Sequence, residues 1–212
     1  GFEMASLEKA AAETKEETGI SFELAAEGTV TEITATGIGA HASTPDVGNN
    51  ALTGLLVFLG KLDFASCPQV DMVRKTASLF PHGDVNGKTL GVAMEDELSG
   101  NLTLSFNMLS VDAASMDGEF DGRIPVCGND ENVLEVVRAR MAEQGLTLLN
   151  KALIPPHHVS ADSYFVKTLL AAFELYTGRK GECQALGGGT YVHHLENGVA
   201  FGAAMPETDN KM

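Results

Sequence analysis

The sequence predicts an α+β fold, and the order of its elements is the main reason. Segments in which apolar and polar residues alternate, typical of strands, occur together with segments of helical spacing. From Thr29 onward the order is strand, helix, insertion, strand, strand, helix, strand. This is the βαββαβ order of a ferredoxin-like domain, an antiparallel four-stranded sheet with two helices on one face. With 44 % hydrophobic residues in a chain of 212, a core can also form.

The first elements are a helix and a hairpin. SLEKAAAETKEETG is rich in alanine, carries opposite charges three to four residues apart and ends at Gly19, which predicts a helix. In ISFELAAEGTVTEITATG, apolar and polar residues alternate on both sides of Glu27-Gly28. We therefore expect strands at about 20–26 and 28–36, joined by a turn.

A strongly apolar helix follows, with Asp46 as its expected cap and Leu62 as its approximate end. Residues 63–97 are interpreted as an insertion that contains a short helix, QVDMVRKTASLF, and then a turn-rich stretch. Four residues are expected on one face of the apolar helix: Leu52, Leu55, Leu56 and Leu59.

The remaining elements complete the predicted sheet. NLTLSFNML is the clearest strand, and EFDGRIPV, at about 119–126, is the next. NDENVLEVVRARMAEQG is predicted to be a helix with Asn129 or Asp130 as its cap and Gly145 as its stop. LTLLNKALI, at 146–154, is the last strand, and SYFVKTLLAAFELYTG is a further amphipathic helix. The apolar side of the clearest strand comprises Leu102, Leu104, Phe106 and Met108.

The chain divides into three parts. Pro155-Pro156 interrupts it, and the last stretch, like the first 27 residues, is too short to bury a core of its own. We expect a segment over 1–27, a central domain over 28–154 with the insertion at about 63–97, and a final segment over 155–212. The outer segments are expected to adjoin a larger body, so that the chain is a piece of a longer protein.

The net charge of −15 argues against nucleic acid and anionic membrane surfaces as partners, because both repel an acidic protein. The chain has no apolar run of about 18 residues and no basic segment followed by an apolar one at its start, so neither a membrane span nor a secretory signal is predicted. Cys67, Cys127 and Cys183 show neither a disulfide pattern nor zinc spacing. The cytoplasm is the expected location.

His41 stands in a loop of small residues after the second predicted strand. Gly37 and Gly39 permit unusual backbone angles there, and Ala42 and Ser43 leave space beside the imidazole. A histidine so placed can donate a hydrogen bond to an oxygen that becomes negative during acyl transfer. The alternative is a histidine that only braces its loop.

A glycine loop and an arginine are the other candidate site residues. Gly187, Gly188 and Gly189 precede a predicted helix that Thr190 can cap, and free N–H groups at such a start suit a carboxylate or a phosphate. The alternative is a tight turn into a helix. Arg123, on the FDGRIPV strand, can hold a carboxylate through two parallel hydrogen bonds, or it can form a surface salt bridge.

The residues predict no metal centre. The six histidines form no HxD or HExxH motif, and no Cys-x-x-Cys occurs. His193 and His194 are neighbours about 100° apart on a predicted helix, and His157-His158 follow two prolines, so neither pair is expected to bind zinc. A G-x-S-x-G nucleophile motif is absent as well. The chain offers accessory groups and lacks a complete catalytic centre.

Three segments together resemble one family. GIGAHASTPDVGNNALTGLLVFL is similar to the G-x-x-x-H-x-x-x-P…G-x-N-A signature in the lid, or dimerisation, domain of di-zinc peptidases, which include aminoacylases, succinyl-diaminopimelate desuccinylases and PepV-like dipeptidases. FDGRIPV resembles the D-x-R-x-P strand late in that lid. ALGGGTYVHHLENGVAFGAAMP resembles the glycine loop and strand at which the chain re-enters the catalytic domain. The matches follow the family order over most of residues 20–212, and the insertion favours the PepV-like branch.

The resemblance implies a mechanism for the full-length enzyme. Two zinc ions, bridged by an aspartate, would activate a water, and a glutamate would act as general base on a dipeptide substrate. By motif match, His41 would hydrogen-bond the oxyanion of the tetrahedral intermediate. Arg123 would bind the C-terminal carboxylate of the dipeptide, and Gly188, Gly189 and Thr190 would border the substrate pocket.

The zinc-binding segments are the main departure from the family. The H-x-D-x-V segment, the bridging aspartate and the paired glutamates lie upstream of the lid in the family, and the last zinc-binding histidine follows the GVAFG segment. Residues 28–154 would be the lid and 155–212 a truncated C-terminal part of the catalytic domain, with the missing N-terminal catalytic half as partner. We expect this chain alone to bind no zinc tightly and to hydrolyse nothing. His193 and His194 stand where several relatives carry arginine, and they receive no role.

A second hypothesis is a self-standing module of ferredoxin-like fold that binds a small molecule or dimerises without catalysis. The His41 loop and the loop at 187–189 favour the first hypothesis, because a regulatory module has no reason to carry both. The oligomeric state stays open. The resemblance to PepV-like enzymes implies a monomer with an enlarged lid, whereas other branches of the family dimerise through the lid sheet. A homodimer is therefore also considered.

Overall fold

The computed structural model describes residues 2–202 and confirms the α+β class. Within that range no helix combines the length and the apolar character that crossing a bilayer requires. Three short turns of other helical types lie at Pro45–Val47, Asp130–Leu134 and Tyr191–His194. The α-helices are α1 (Met4–Thr18), α2 (Ala51–Gly60), α3 (Pro68–Leu79), α4 (Glu135–Glu143) and α5 (Tyr164–Thr177). The strands are β1 (Ser21–Glu27), β2 (Val30–Thr36), β3 (Glu95–Asp96), β4 (Gly100–Asn101), β5 (Thr103–Val111) and β6 (Met116–Arg123).

The strands pair as separate antiparallel hairpins, which differs from the predicted four-stranded sheet. β1 pairs with β2, β3 with β4 and β5 with β6. The predicted last strand, 146–154, joins no sheet among the described residues. Side chains bind its backbone instead, because Asp130 accepts from the Leu153 N–H and Arg138 donates to the Asn150 carbonyl, both at 2.8 Å. Leu146, Leu148 and Leu153 still pack against the core, whereas Leu149 is exposed, so the segment keeps most of its hydrophobic contacts without a strand ladder.

The larger core lies between α2, α3, the β5–β6 hairpin and α4. Phe80 stacks on Phe106 with ring centroids 4.5 Å apart, and Phe120 tilts against Phe80 at 5.3 Å. Part of this core comes from the predicted insertion, which is therefore integral to the fold. The buried members are Leu56, Leu79, Phe80, Leu90, Val92, Leu102, Leu104, Phe106, Val133 and Val137.

A second core joins α1 and the β1–β2 hairpin to the other side of α2. Its buried members are Leu7, Ala10, Phe58 and Leu62. The four leucines predicted on one face of α2 therefore divide between the two cores. One pair contacts the larger core and the other contacts the second, because a helix that is apolar nearly all round is buried on more than one side. The two pairs are Leu52 with Leu56, and Leu55 with Leu59.

Asparagine side chains cap the start of α2 and of the turn that leads into α4. α2 begins after Asn50, whose Oδ1 accepts the Thr53 N–H at 3.1 Å, so the prediction of Asp46 as cap is wrong. Asp46 lies instead in a short 3-10 turn that Pro45 starts. Of the two caps predicted for the later helix, Asn129 and Asp130, the structure has Asn129, whose side chain accepts two N–H groups of the following turn.

Strand β5 contains a bulge that changes which side chains it buries. The register with β6 shifts between Phe106 and Met108. Leu104 and Phe106 are buried as predicted, but Met108 is 59 % exposed. An extra residue in one strand reverses the side-chain alternation beyond it, so the predicted apolar side ends at Phe106.

Candidate functional site

The loop that carries His41 is closed at its base by a backbone bridge. The Ile38 N–H donates to the Asn49 carbonyl at 2.9 Å, and the Asn49 N–H donates to the Ile38 carbonyl at 2.8 Å. A Cβ on Gly37 would lie 2.1 Å from the Asn49 oxygen, and one on Gly48 would lie 2.8 Å from the Ile38 oxygen. The two glycines are therefore required because the backbone on each side of the loop approaches too closely for a side chain.

The His41 ring is exposed and held through one of its two nitrogens. Nδ1 lies 2.8 Å from the Ser43 Oγ and accepts the Ser43 backbone N–H at 3.2 Å. A neutral imidazole has one N–H, so an accepting Nδ1 places the proton on Nε2. The ring can then donate a hydrogen bond from Nε2 to an external oxygen, which is the chemistry that an oxyanion requires.

Strand β5 connects the His41 loop to Arg123. The Thr103 hydroxyl donates to the Ala42 carbonyl at 2.8 Å, which ties the loop to the first residue of β5. Thr103 lies directly opposite Arg123, the last residue of β6. Opposed residues of an antiparallel pair project from the same face. His41 and Arg123 are thus brought to the same end of the β5–β6 hairpin.

The Arg123 side chain is paired with a neighbour on its own strand. Its Nε lies 2.7 Å from the Asp121 Oδ1, and its Nη2 donates to the Asp121 Oδ2 at 2.7 Å. Only the Nη2 contact is a hydrogen bond, because the buried Nε lies within ion-pair distance of Asp121 but has no hydrogen-bond partner among the described residues. Asp121 therefore accepts from one of the five guanidinium N–H groups. The predicted surface salt bridge is present, and the guanidinium keeps donors for a second carboxylate.

The glycine loop contacts the His41 loop directly. A Cβ on Gly187 would lie 2.8 Å from the Ser43 Cβ, and one on Gly188 would lie 3.9 Å from the His41 Cε1. Gly189 has no neighbour within 4 Å of the corresponding position. The two loops are 140 residues or more apart in the sequence, and the fold places them against each other.

Thr190 does not cap a helix as predicted. The turn that follows is a four-residue 3-10 segment, and Thr190 makes no side-chain capping bond to it. The prediction of a helix at this place is therefore wrong, because the chain forms a single helical turn and leaves it at Leu195. Gly189 and Thr190 are exposed, so of the three predicted pocket residues only Gly188 lies beside His41. The last residues of the matching motif, 203–206, lie outside the described residues.

Three of the remaining histidines, His157, His193 and His194, form a loose cluster. The His157 Nε2 donates to the Gly198 carbonyl at 2.7 Å. The His157 and His193 ring centroids are 5.8 Å apart, and those of His193 and His194 are 5.4 Å apart. Across residues 2–202, no three or more His, Cys, Asp or Glu side chains are arranged to hold a metal ion. These residues do not fit the zinc centre that the family resemblance implies, and we derive no step through it.

A cavity of about 500 Å³ lies beside the base of the His41 loop. It is bounded by the loop base, the start of α2, residues 80–85 and β5, and the His41 ring does not line it. In its wall, Nδ1 of the half-buried His82 lies 2.9 Å from the buried Thr53 hydroxyl.

Asp84, in the same wall, is the ionisable group that this region perturbs. Burial raises the pKa of its carboxyl, but hydrogen bonds from the backbone of Thr89, Lys88 and Asn86 and from the Thr89 side chain outweigh burial and leave the pKa below its usual value of 3.8. Asp84 is therefore a structural carboxylate that holds a turn.

Sequence comparison relates the chain to proteins that carry dipeptidase names. It is 34 % identical over 173 residues to the Beta-Ala-Xaa dipeptidase of Lactobacillus delbrueckii subsp. lactis, a match that covers 81 % of this chain and 36 % of that relative. The chain is a homologue of dipeptidase-named proteins. This dipeptidase homologue is also 37 % identical over 175 residues to YtjP of Bacillus subtilis strain 168, which carries a dipeptidase name, with 80 % of this chain and 36 % of YtjP covered. The resemblance inferred from the three motifs is thereby confirmed.

The match covers only part of each relative. This chain spans little more than a third of the length of these two relatives. A third relative, from Staphylococcus epidermidis and also with a dipeptidase name, is 29 % identical over 182 residues, and the match covers 38 % of its length. No family model matches the chain.

Sequence reasoning missed two residues of this site. Ser43 was expected only to leave space beside the ring, whereas its hydroxyl contacts the ring. A serine two residues after a polar side chain commonly bonds locally, so this contact had a signal in the sequence. Thr103 had none, because its partner Ala42 lies 61 residues away and is reached only in the folded chain.

Proposed function

We propose that this chain is the lid and C-terminal portion of a zinc-dependent dipeptidase that hydrolyses dipeptide amide bonds. The observation that carries the proposal is the contact between the His41 loop and the glycine loop, in a chain homologous to dipeptidase-named proteins. An exposed histidine with an available Nε2–H, bordered by a glycine loop, suits a substrate carbonyl whose oxygen becomes negative. A β-alanyl dipeptide is the first substrate to test, from the name of one relative.

Arg123 is proposed to bind the substrate carboxylate. Its pairing with Asp121 leaves part of the guanidinium available, and its side chain is 30 % exposed. Bidentate arginine–carboxylate pairs are strong and directional, so Arg123 would orient the C-terminal end of a dipeptide. The position of Arg123 opposite Thr103, which anchors the His41 loop, supports a site that spans both residues.

The rest of the enzyme is proposed to supply the reactive metals. The two zinc ions would be held by the N-terminal catalytic half, on polypeptide outside residues 2–202. The exposed apolar side chains of α5 support the proposal that another part of the enzyme packs against this helix. Tyr164, Leu175 and Tyr176 are each more than three-quarters exposed. A larger protein that covers these side chains would remove this apolar surface from water.

The experiment compares two histidine variants of the complete zinc-loaded enzyme that carries this segment. His41→Ala should lower kcat roughly 10²–10³-fold, the scale for one lost oxyanion donor. His158→Ala, which removes an exposed imidazole after the paired prolines, is the matched control and should leave kcat unchanged. A decrease of less than threefold for His41→Ala would reject the oxyanion role.

Substrate pairs test Arg123 separately. Arg123→Ala should raise KM for dipeptides with a free C-terminal carboxylate and leave the amidated dipeptides unaffected, because only the former can pair with a guanidinium. Equal effects on the two substrates would remove this role. If this chain alone binds a small molecule or dimerises, and the complete polypeptide shows no peptidase activity, the self-standing module replaces the proposal.

A further inference from the structure

We propose that Ser43 is a positioning residue that fixes the His41 ring by its Nδ1 and keeps the proton on Nε2. This inference rests on the proposed function and extends it, because it names the residue that makes His41 a hydrogen-bond donor toward the substrate. Ser43 touches neither substrate nor metal in this proposal. It acts only through His41.

The donor and acceptor roles follow from the two contacts at Nδ1. A backbone N–H can only donate, so the Ser43 N–H at 3.2 Å requires Nδ1 to be an acceptor. The Ser43 hydroxyl at 2.8 Å can donate to the same nitrogen. Two donors on Nδ1 disfavour the tautomer in which Nδ1 carries the proton, because its N–H would face the Ser43 N–H. Nε2 is then left as the donor.

Ser43 is itself held from three sides. The Thr44 N–H donates to the His41 carbonyl at 2.9 Å, which closes the turn around Ser43. Thr103 anchors the preceding carbonyl, that of Ala42. On the third side the Gly187 backbone lies so close that an added Cβ would be 2.8 Å from the Ser43 Cβ. The serine therefore links the glycine loop to the ring.

An exposed imidazole needs such a support. The ring has no packed core around it, so without a fixed partner it would exchange between rotamers and tautomers in solvent. A donor that is already oriented toward the developing charge needs no reorganisation during the reaction. Ser43 supplies this orientation through contacts that lie within the chain and do not require the substrate.

The first test reads the ring nitrogens of this 212-residue chain by ¹⁵N NMR of labelled histidine, which needs no enzymatic activity. In the native chain the His41 Nδ1 should have the shift of an unprotonated, hydrogen-bonded nitrogen and Nε2 that of a protonated one. Ser43→Ala should move the Nδ1 shift, because it loses the hydroxyl donor. Thr103→Val, the matched control, loosens the loop without touching the ring and should leave Nδ1 in place.

The opposite results overturn the inference. A proton on Nδ1 in the native chain would do so, as would unchanged ring shifts in Ser43→Ala. Equal shifts in Ser43→Ala and Thr103→Val would mean that Ser43 only braces the loop, which also overturns it.

The second test is a double-mutant cycle in the complete enzyme. Ser43→Ala should lower kcat by about 2- to 13-fold, the scale of one net hydrogen bond, with little change in KM. In a His41→Ala background the same substitution should have no further effect, because Ser43 acts through His41. A persisting effect there would overturn the inference. If His41→Ala itself leaves turnover unchanged, the proposed oxyanion role fails, and the NMR result still decides whether Ser43 holds the ring.

Discussion

The close contact between α2 and Ile20 gives the sharpest test of the fold. Gly54 lies in the middle of α2, and a Cβ there would be 2.4 Å from the Ile20 Cγ1 and 3.0 Å from its Cβ. Ile20 is completely buried and cannot move into solvent. Carbon atoms pack best at about 3.5–4.0 Å, so Gly54→Ala would create an overlap of about 1 Å. Either α2 or the start of β1 has to shift.

The magnitude follows from a matched pair of glycines in one helix. Gly60, the last residue of α2, has no atom within 4 Å of its Cβ position. Alanine is favoured over glycine in a helix by about 0.5–1 kcal/mol, so Gly60→Ala should raise the free energy of unfolding by up to that amount. Gly54→Ala gains the same helical preference but adds an overpacking cost of about 1–3 kcal/mol. The difference between the variants therefore isolates the overlap.

Urea denaturation of the two variants measures this difference directly. Gly54→Ala should be less stable than Gly60→Ala by about 1–3 kcal/mol at an unchanged slope against urea, and its Tm should be lower by about 2–12 °C. Equal stabilities would refute the reasoning, since they would show that Gly54 is not pressed against Ile20. A changed slope for Gly54→Ala alone would show that the substitution alters the native compactness.

Three further outcomes are expected. Asn50→Ala should lower the free energy of unfolding by about 1–3 kcal/mol, because it removes the α2 cap and the 2.8 Å hydrogen bond from Nδ2 to a β5 carbonyl. The control Asn150→Ala, at an exposed site, should change the free energy of unfolding little. Asp84→Asn should destabilise the chain at pH 7. A carboxyl whose pKa is lowered in the folded state stabilises the fold at pH values above its ordinary pKa of 3.8, and this stabilisation is lost as the pH falls through the folded pKa. The free energies of unfolding of Asp84→Asn and of the native chain should therefore converge in acid. A difference in stability that stays constant with pH would contradict this account. Excess zinc or a chelator should leave the Tm of this chain unchanged, since the described residues hold no metal cluster, and a zinc-dependent rise would contradict the proposed location of the metals.

Local patterns in the sequence predicted the helix caps and the turn that depend only on residues close in sequence. α1 has Gly19 as its C-cap, whose φ of +74° requires the freedom that glycine provides. The hairpin over β1 and β2 turns at Gly28, with φ of +62°, as the alternation indicated. α5 has Ser163 as its N-cap, whose side chain accepts the Val166 N–H, and Gly178 as its C-cap. In each case the cause lies within a few residues of the element.

Other predictions depended on contacts that no local pattern contains. The segment 146–154 has the alternation of a strand, yet its backbone is bound by Asp130 and Arg138, so it joins no described sheet. Met108 has the spacing of a buried residue, but the bulge after Phe106 turns it outward. A strand needs a partner, and the partner is chosen by the whole chain.

The sequence by itself determined the α+β class, most helix ends and the identity of the candidate groups, because capping, turn glycines and apolar spacing act over a few residues. It also indicated the relationship to dipeptidases through three motifs. Only the tertiary structure decided that Gly187 and Gly188 lie against Ser43 and His41, and that Thr103 ties this loop to the strand opposite Arg123. The contacts that hold the His41 loop join residues at least 60 positions apart, so no local pattern in the sequence contains them.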